Sequence, residues 1–469
     1  TGSNAGTAAH GVTATDALDG AGNINLTFAN GATAADVKAY VSGSGSSSSG
    51  TITTPQKVGS EFQVNTHTTG SQKTGQTPSQ SVTPLKNGGF VVTWISDVQD
   101  NYDHEIYAQR YDSSGTAVGS EFQVNTFTTN NQFAPSVTSL DDGGFVIAWM
   151  SYGQDGRSSA ETDIYGQRYD ASGATVGSEF QVNTFTTSYQ HHPSVTSLAD
   201  GGFVIAWQSN TQDGSSYGIY GQRYGSNGIM LDTEFQVNTH TSANQEHVAA
   251  TSLTDGGFVI TWVSNNQDGS GKGVYDQRYD SNGIKAGDEF QVNTHITGDQ
   301  MSPSVQSLKG DDFVITWSSM NQDEASSKGI YGQRYSASGS ETGTEFMINT
   351  HSSGDQHNSA ITSLNDGGFL VSWVSNSQDG DGEGVYGQRF DAKGKAVGLE
   401  FQVSTTTVND QSRPSLTSLS DGKIAVVWTS KSQGGDNNGV FAQIFDTGTS
   451  SASSSPSGSS SSTSHTLNP

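Results

Sequence analysis

Six Gln-Asp pairs recur along the chain: Gln99-Asp100, Gln154-Asp155, Gln212-Asp213, Gln267-Asp268, Gln322-Asp323 and Gln378-Asp379. Calcium collects several hard oxygen ligands, carboxylates foremost. Asp100, Asp155, Asp213, Asp268, Asp323 and Asp379 are therefore candidate calcium ligands. The competing reading is structural, because Asp and Gln side chains readily cap loop backbone groups. A seventh copy departs from the pattern, reading Gln433-Gly434-Gly435-Asp436. Histidines stand at matched positions (His67, His240, His295 and His351), with Phe127, Phe185 and Thr406 in their place elsewhere. One imidazole per unit is a poor start for a zinc site, which gathers four ligands. Arg110, Arg168, Arg223, Arg278, Arg334 and Arg389 form another series, and Glu61, Glu121, Glu179, Glu234, Glu289, Glu345 and Glu400 a further one. On adjacent strands an Arg could lie by a Glu in almost every unit. A single active site would break such repetition at one place, so the pair reads as structural. Tyr152, Tyr189 and Tyr217 do not recur and fall outside the regular segments. Exposed aromatics with a polar tip suit sugars, which makes these three candidate glycan contacts.

The chain is acidic: 20 Lys and Arg against 46 Asp and Glu, 20 − 46 = −26. That balance argues against nucleic acid, whose phosphates need Lys and Arg, and against docking on anionic lipid. There is no cysteine, hence no disulfide framework. No apolar run approaches the roughly 18 residues of a membrane span. The sequence has no EF-hand loop, glycine-aspartate nonapeptide array, Walker A loop, Gly-x-Ser-x-Gly elbow or His-Glu-x-x-His.

The elements that must position these residues are set by a repeat. All seven tryptophans form one series, Trp94, Trp149, Trp207, Trp262, Trp317, Trp373 and Trp428, spaced by 55, 58, 55, 55, 56 and 55 residues. EFQVNT or a close variant also occurs seven times, and YGQRYD-like segments lie between the two markers. Each unit reads as four short strands, exemplified by Ser136–Leu140, Gly144–Trp149, Asp163–Asp170 and Glu179–Thr184. They are rich in β-branched and aromatic residues. Asp-Gly-Gly between the first two is a tight-hairpin signal. In the second strand Phe145, Ile147 and Trp149 share one face, Val146 and Ala148 the other. Both faces are apolar, which requires neighbours on both sides.

Four-stranded units in series predict an all-β, seven-bladed β-propeller. The first EFQVNT precedes any full unit, and the last unit ends at Asp446 without one. The last blade is thus closed by the N-terminal strand, through Glu61, Phe62, Gln63, Val64, Asn65 and Thr66. Residues 1–58 form a short arm with a Gly/Ser linker at 42–50, residues 59–446 the propeller, and residues 447–469 a Ser/Thr-rich tail. Within the arm, residues 23–28 read as a strand and 34–41 as a short helix. Asn25-Leu26-Thr27 matches an N-glycosylation sequon.

The pattern PSV-x-SL-x-DGGFV-x-W, then IY-x-QRYD, then EFQVN, resembles propeller-like repeats of large secreted bacterial surface proteins and adhesins. The resemblance covers residues 61–446. It implies an extracellular protein of the bacterial cell surface, often found with haemolysin-type calcium-binding repeats. The expectation is a non-catalytic structural or adhesive protein, such as the subunit of a filament, sheath or matrix, with self-association or other surface proteins as partners. The alternative is a multivalent carbohydrate-binding lectin, and behind it a glycan-acting enzyme. An enzyme would need an asymmetric cluster of acids at the central channel.

Overall fold

A computed structural model describes residues 6–7, 12–18, 24–28 and 54–448, apart from 76–79, 98, 100–103, 158–159, 311, 324–326 and 436. The chain divides into two compact units at Ile52/Thr53, six residues before the boundary read from sequence. In the first unit Gly6–Thr7, Val12–Leu18 and Ile24–Phe28 form a three-stranded antiparallel sheet. The expected helix at 34–41, the linker at 42–50 and nearly all of the tail lie outside the described residues.

The second unit is the seven-bladed propeller. Blade two is representative. Its strands are Gln132–Ser139, Phe145–Tyr152, Thr162–Tyr169 and Thr175–Gln181, all antiparallel and in that spatial order. The first strands of successive blades lie against one another and ring the axis. Blade seven takes Gln411–Ser418, Lys423–Lys431 and Asn438–Asp446 from the C-terminal end and Gln56–Gln63 from the N-terminal end. Phe62 stands opposite Ala442 in that pairing. The split blade predicted from sequence is therefore present.

Two strand limits differ from the sequence reading, for physical reasons. Outer strands start earlier than EFQVNT in every blade but the fourth, where only Phe290–Gln291 pair, and they stop at its Gln or, in blade five, at Met347; Val182 still donates its N–H to Ile164 O (2.8 Å). The next residue, Asn183, turns its side chain inward, where Oδ1 accepts from Ile164 N at 2.7 Å and Nδ2 donates to Phe185 O at 3.0 Å. Asn65 does the same across the closure, with Val440 N and His67 O. Only Glu61, Phe62 and Gln63 of the six proposed closure residues lie in the strand. Val64 and Asn65 complete the closure by bonds to Val440, whereas the Thr66 N–H goes to Glu121 of blade one. In blades two to seven the first strand begins four residues before the SVTSL motif or its counterpart, with a β-bulge between Phe133 and Ser136 and at the matching places of the later blades.

The two apolar faces of the second strand serve different neighbours. Phe145, Ile147 and Trp149 pack with Leu85, Val91, Ile95 and Ile106 of blade one. Val146, Ala148 and Met150 pack with Phe203, Ile205 and Trp207 of blade three. Seven such clusters fill the ring, the closing one joining Phe90, Val92 and Trp94 to Ala425, Val427 and Val440 of blade seven. All seven tryptophans are fully buried. At about 25 cal/mol per Å² of apolar area, these interfaces supply the main stabilisation.

Candidate functional site

The recurring polar residues serve the ring itself. Gln99 Nε2 donates to Glu121 Oε1 at 2.7 Å, Gln267 to Glu289 at 2.7 Å and Gln378 to Glu400 at 2.6 Å. The same bond joins Gln154 to Glu179, Gln212 to Glu234 and Gln322 to Glu345. The departing seventh loop keeps it, from Gln433 to Glu61. The second carboxylate oxygen reaches the previous blade: Glu179 Oε2 accepts from Thr126 N (2.8 Å), Glu234 from Thr184 N (2.7 Å) and Glu61 from Thr405 N (2.8 Å). Each glutamate thus clamps two blades. The arginines do not pair with these glutamates, contrary to the sequence expectation. They cross to the turn of the next blade: Arg110 donates to Ala171 O (3.0 Å), Arg168 to Ser226 O (2.8 Å), Arg223 to Ser281 O (2.9 Å) and Arg389 to Thr447 O (3.0 Å).

The candidate calcium ligands sit one to a blade. Asp155, Asp213 and Asp268 each accept a backbone N–H two residues on, at 2.9 to 3.0 Å, and Asp379 does so at 3.4 Å. Asp213, Asp268, Asp323 and Asp379 also lean over Gly218, Gly273, Gly329 and Gly384, where a Cβ would come within 2.6 to 2.9 Å of Oδ2. That contact explains the glycine early in those third strands. Asp100 lies outside the described residues. Among the described residues, no three His, Asp or Glu side chains gather as a metal site. At the histidine position it is the backbone carbonyl that is used: Asn238 donates to His240 O and Asn349 to His351 O, as Asn125 does to Phe127 O. Any side chain can supply it, so Phe can stand there.

Hydroxyls and alkyl groups line the axial channel, among them Ser194, Ala249, Ser304, Ser359 and Ser415. The hydroxyls link neighbouring first strands: Ser136 Oγ accepts from Val195 N (3.1 Å), Ser194 Oγ from Ala250 N (3.1 Å) and Ser415 Oγ from Ser81 N (3.0 Å).

Symmetry breaks at blades two and three. Tyr152 ends a second strand, Tyr217 opens a third strand, and Tyr189 lies in the connection between these blades. All three reach the face that carries the Gln-Asp loops; Tyr189 and Tyr217 lie against His191, and Tyr152 shares a cavity wall with it. Its ring centroid lies 5.6 Å from those of both Tyr189 and Tyr217, and its Nδ1 is 3.4 Å from the Tyr217 hydroxyl. Phe133 continues the cluster, edge-on to Tyr152 at 6.1 Å and tilted against His104 at 4.6 Å. Beside it opens a cavity of about 250 Å³ lined by Ile95, Phe133, Ala134, Met150, Tyr152, His191 and His192. Tyr189 is 36% exposed. Burial pulls His191 down to about 4. Burial, helped by the neighbouring His191 and His247, pulls His192 down to about 3. Both imidazoles are therefore neutral at neutral pH. Burial also raises the Tyr152 hydroxyl, with Tyr189 and Tyr217 adding to the effect.

The sequence named the three tyrosines; it missed Phe133, His191 and His192. A usable signal was the pair after each repeated Gln, which changes from blade to blade: Phe133-Ala134, His191-His192, Glu246-His247, Met301-Ser302. Blade two also has a buried Asp163, whose carboxyl burial pushes up to about 6 while it accepts from Asn183 at 2.6 Å. It does not line the cavity.

No family model matches the chain, and no curated protein matches it. Among solved structures, a protein of unknown function from Dyadobacter fermentans is similar over 82% of this chain and 99% of its own, with a TM-score of 0.50 and 12% identity. The polysaccharide lyase Uly1 is similar over 79% and 90%, with a TM-score of 0.49 and 12% identity. The α-L-arabinanase of Penicillium chrysogenum, complexed with arabinobiose, is similar over 67% and 92%, with a TM-score of 0.42 and 16% identity. The first likeness is one of fold alone, and the other two are too weak to carry an argument.

Proposed function

We propose that this protein is a non-catalytic glycan-binding propeller of the bacterial cell exterior, with one principal site at the blade two–three boundary. The observation that carries the reading is the stacking of Tyr189 and Tyr217 against His191, which lines a cavity together with Tyr152. Sugar rings present C–H faces that stack on aromatic rings and hydroxyls that bond to Tyr and His, and ligand pockets combine these features. The sequence alternative was a multivalent lectin; the geometry favours a single site, because this cluster has no counterpart in the repeat pattern. The repeated carboxylates support a binding role over a catalytic one, since Glu61, Glu179 and Glu234 are each held by two partners. The external location rests on the repeat resemblance alone.

The test is calorimetric titration of the wild type, Tyr152→Ala and Tyr217→Ala with oligosaccharides that score on a glycan array. Binding by the wild type and a loss of about tenfold or more in each variant is expected, a change of roughly 1.4 kcal/mol. Binding that survives both substitutions, or shortening of the glycan during incubation, would refute the reading. Self-association is the second reading. Ile229, Met230 and Ile284, at 63%, 40% and 64% exposure, leave an apolar patch around the turns of blades three and four on the opposite face.

A further inference from the structure

We infer that the site takes an uncharged terminal sugar residue and rejects uronate, sialate and sulfated ends; the inference rests on the glycan-binding reading above. The cavity wall contains apolar, aromatic and imidazole side chains and no Lys, Arg, Asp or Glu. An acidic sugar placed there would bury a charge with no counter-ion, which is costly unless the charge is paired.

Two cations of the surrounding blades are already committed, whereas Lys73, opposite Ile95 in blade one, carries no ion pair among the described residues. Lys272 Nζ lies 2.5 Å from Glu246 Oε1, and Arg157, beyond Tyr152 in the longest of the strand-two loops, lies 3.2 Å from Asp155 Oδ2. Recruiting one of them would leave an acid unpaired. The chain as a whole adds repulsion through its net charge of −26.

What the site offers fits a neutral sugar. His191 Nε2 is buried without a hydrogen-bond partner, so one ring nitrogen remains for a ligand hydroxyl. Its other nitrogen faces the Tyr217 hydroxyl, which fixes the ring plane. A cavity of about 250 Å³ falls just below the roughly 300 Å³ at which pockets for drug-sized ligands begin. It therefore suits a terminal residue rather than a threaded chain.

The experiment pairs neutral oligosaccharides with counterparts ending in glucuronate, sialate or a sulfated hexose, titrated against the wild type, Tyr217→Ala, Tyr217→Phe and Tyr189→Lys. Neutral ends should bind at least about tenfold tighter, with affinity nearly constant from roughly 50 to 500 mM salt. Tyr217→Phe keeps the ring and guards against a folding defect in Tyr217→Ala, with thermal melts run on both. Tyr189→Lys places a cation at the exposed rim and should narrow the preference for neutral ends. Acidic ends binding as tightly as neutral ones, with loss in Tyr217→Ala, would overturn this inference and leave the glycan reading standing. No binding by either panel would overturn both.

Discussion

Asp276 buries an unpaired carboxyl in blade four, and its removal should stabilise the protein. It lies in the third strand, opposite Thr261 and Phe290. The equivalent residue is Ala108 in blade one, Gly166 in blade two, Gly221 in blade three and Ala442 in blade seven. Space there is tight: a Cβ at Gly166 would come within 2.7 Å of the Phe180 ring. Asp276 is fully buried, and neither carboxyl oxygen has a hydrogen-bond partner. Burial therefore holds its carboxyl well above the usual carboxylate range, and the Arg278 guanidinium offsets this only in part. A raised folded-state value means that the folded protein binds the proton more tightly than the unfolded chain. Stability is then greatest below the unfolded value of about 4. It falls as pH rises above that value, until the folded group has also ionised. Asp276→Ala installs the residue of blades one and seven. An unsatisfied buried polar group costs about 1–3 kcal/mol, so a gain of about that size is expected at neutral pH. At roughly 2 cal/mol/K per residue, a chain of this length gains about 1 °C per kcal/mol. Calorimetric melts of wild type and Asp276→Ala from acid to neutral pH would show a gap that widens with pH. Asp276→Asn, which cannot ionise, should flatten the pH dependence while keeping a polar group. A lower melting temperature for Asp276→Ala at neutral pH, or a gap that does not change with pH, would refute the reasoning.

Three further predictions concern the ring. Glu61 joins Thr405 N of blade six to Gln433 of blade seven, so Glu61→Ala should lower stability by about 0.5–1.5 kcal/mol in denaturant titration, because water can take the place of the acceptor at the exposed Thr405 N. Truncation of residues 1–66 removes the whole outer strand of blade seven and bares the Asn438–Asp446 edge; light scattering should report aggregation, and an unchanged cooperative melt would contradict closure. Trp262→Ala empties the centre of the blade three–four interface and should cost about 3–5 kcal/mol by the same titration.

How much of this was legible in the sequence depended on the period of the feature. Trp149 and Glu179 recur every blade, so their register set the blade count and the split blade without coordinates. The double apolar face at Val146 and Ile147 likewise announced two neighbours. Contacts that cross from one repeat to the next were harder to read. Arg168 could be placed on a strand, yet its partner Ser226 O lies in the following blade, so pairing it with the glutamate of its own blade was a wrong inference from adjacency. Asn183 looked like one more strand residue, because a side chain that caps the neighbouring strand leaves the same sequence pattern as one that extends its own. The cavity was the hardest feature to anticipate. Ile95, Phe133, Met150 and His191 come from three blades; each stands beside a repeat tryptophan or glutamine, but the residue type at those places changes from blade to blade.

The bulge in the first strand ties that cavity to the repeat. Ala134, His192, His247, Ser302, Asn358 and Arg413 occupy matched places there, and all have positive φ, between 50° and 57°. Left-handed backbone costs a residue with a side chain roughly 1–3 kcal/mol, whereas glycine adopts it freely. The chain is rich in glycine, with 58 residues, yet none of these six blades uses it at this position. Almost every other place in the repeat is held by a duty to the ring: tryptophan fills an interface, glutamate clamps two blades, asparagine caps a strand. At the bulge the backbone alone is conserved in shape, and the side chain changes with each blade from alanine to histidine to arginine. Residues kept at conformational cost, but free to differ, are free to face a ligand. That the two adjoining bulges of blades two and three supply Ala134 and His192 to the cavity wall is what places the proposed site there and not at the repeated Gln-Asp loops.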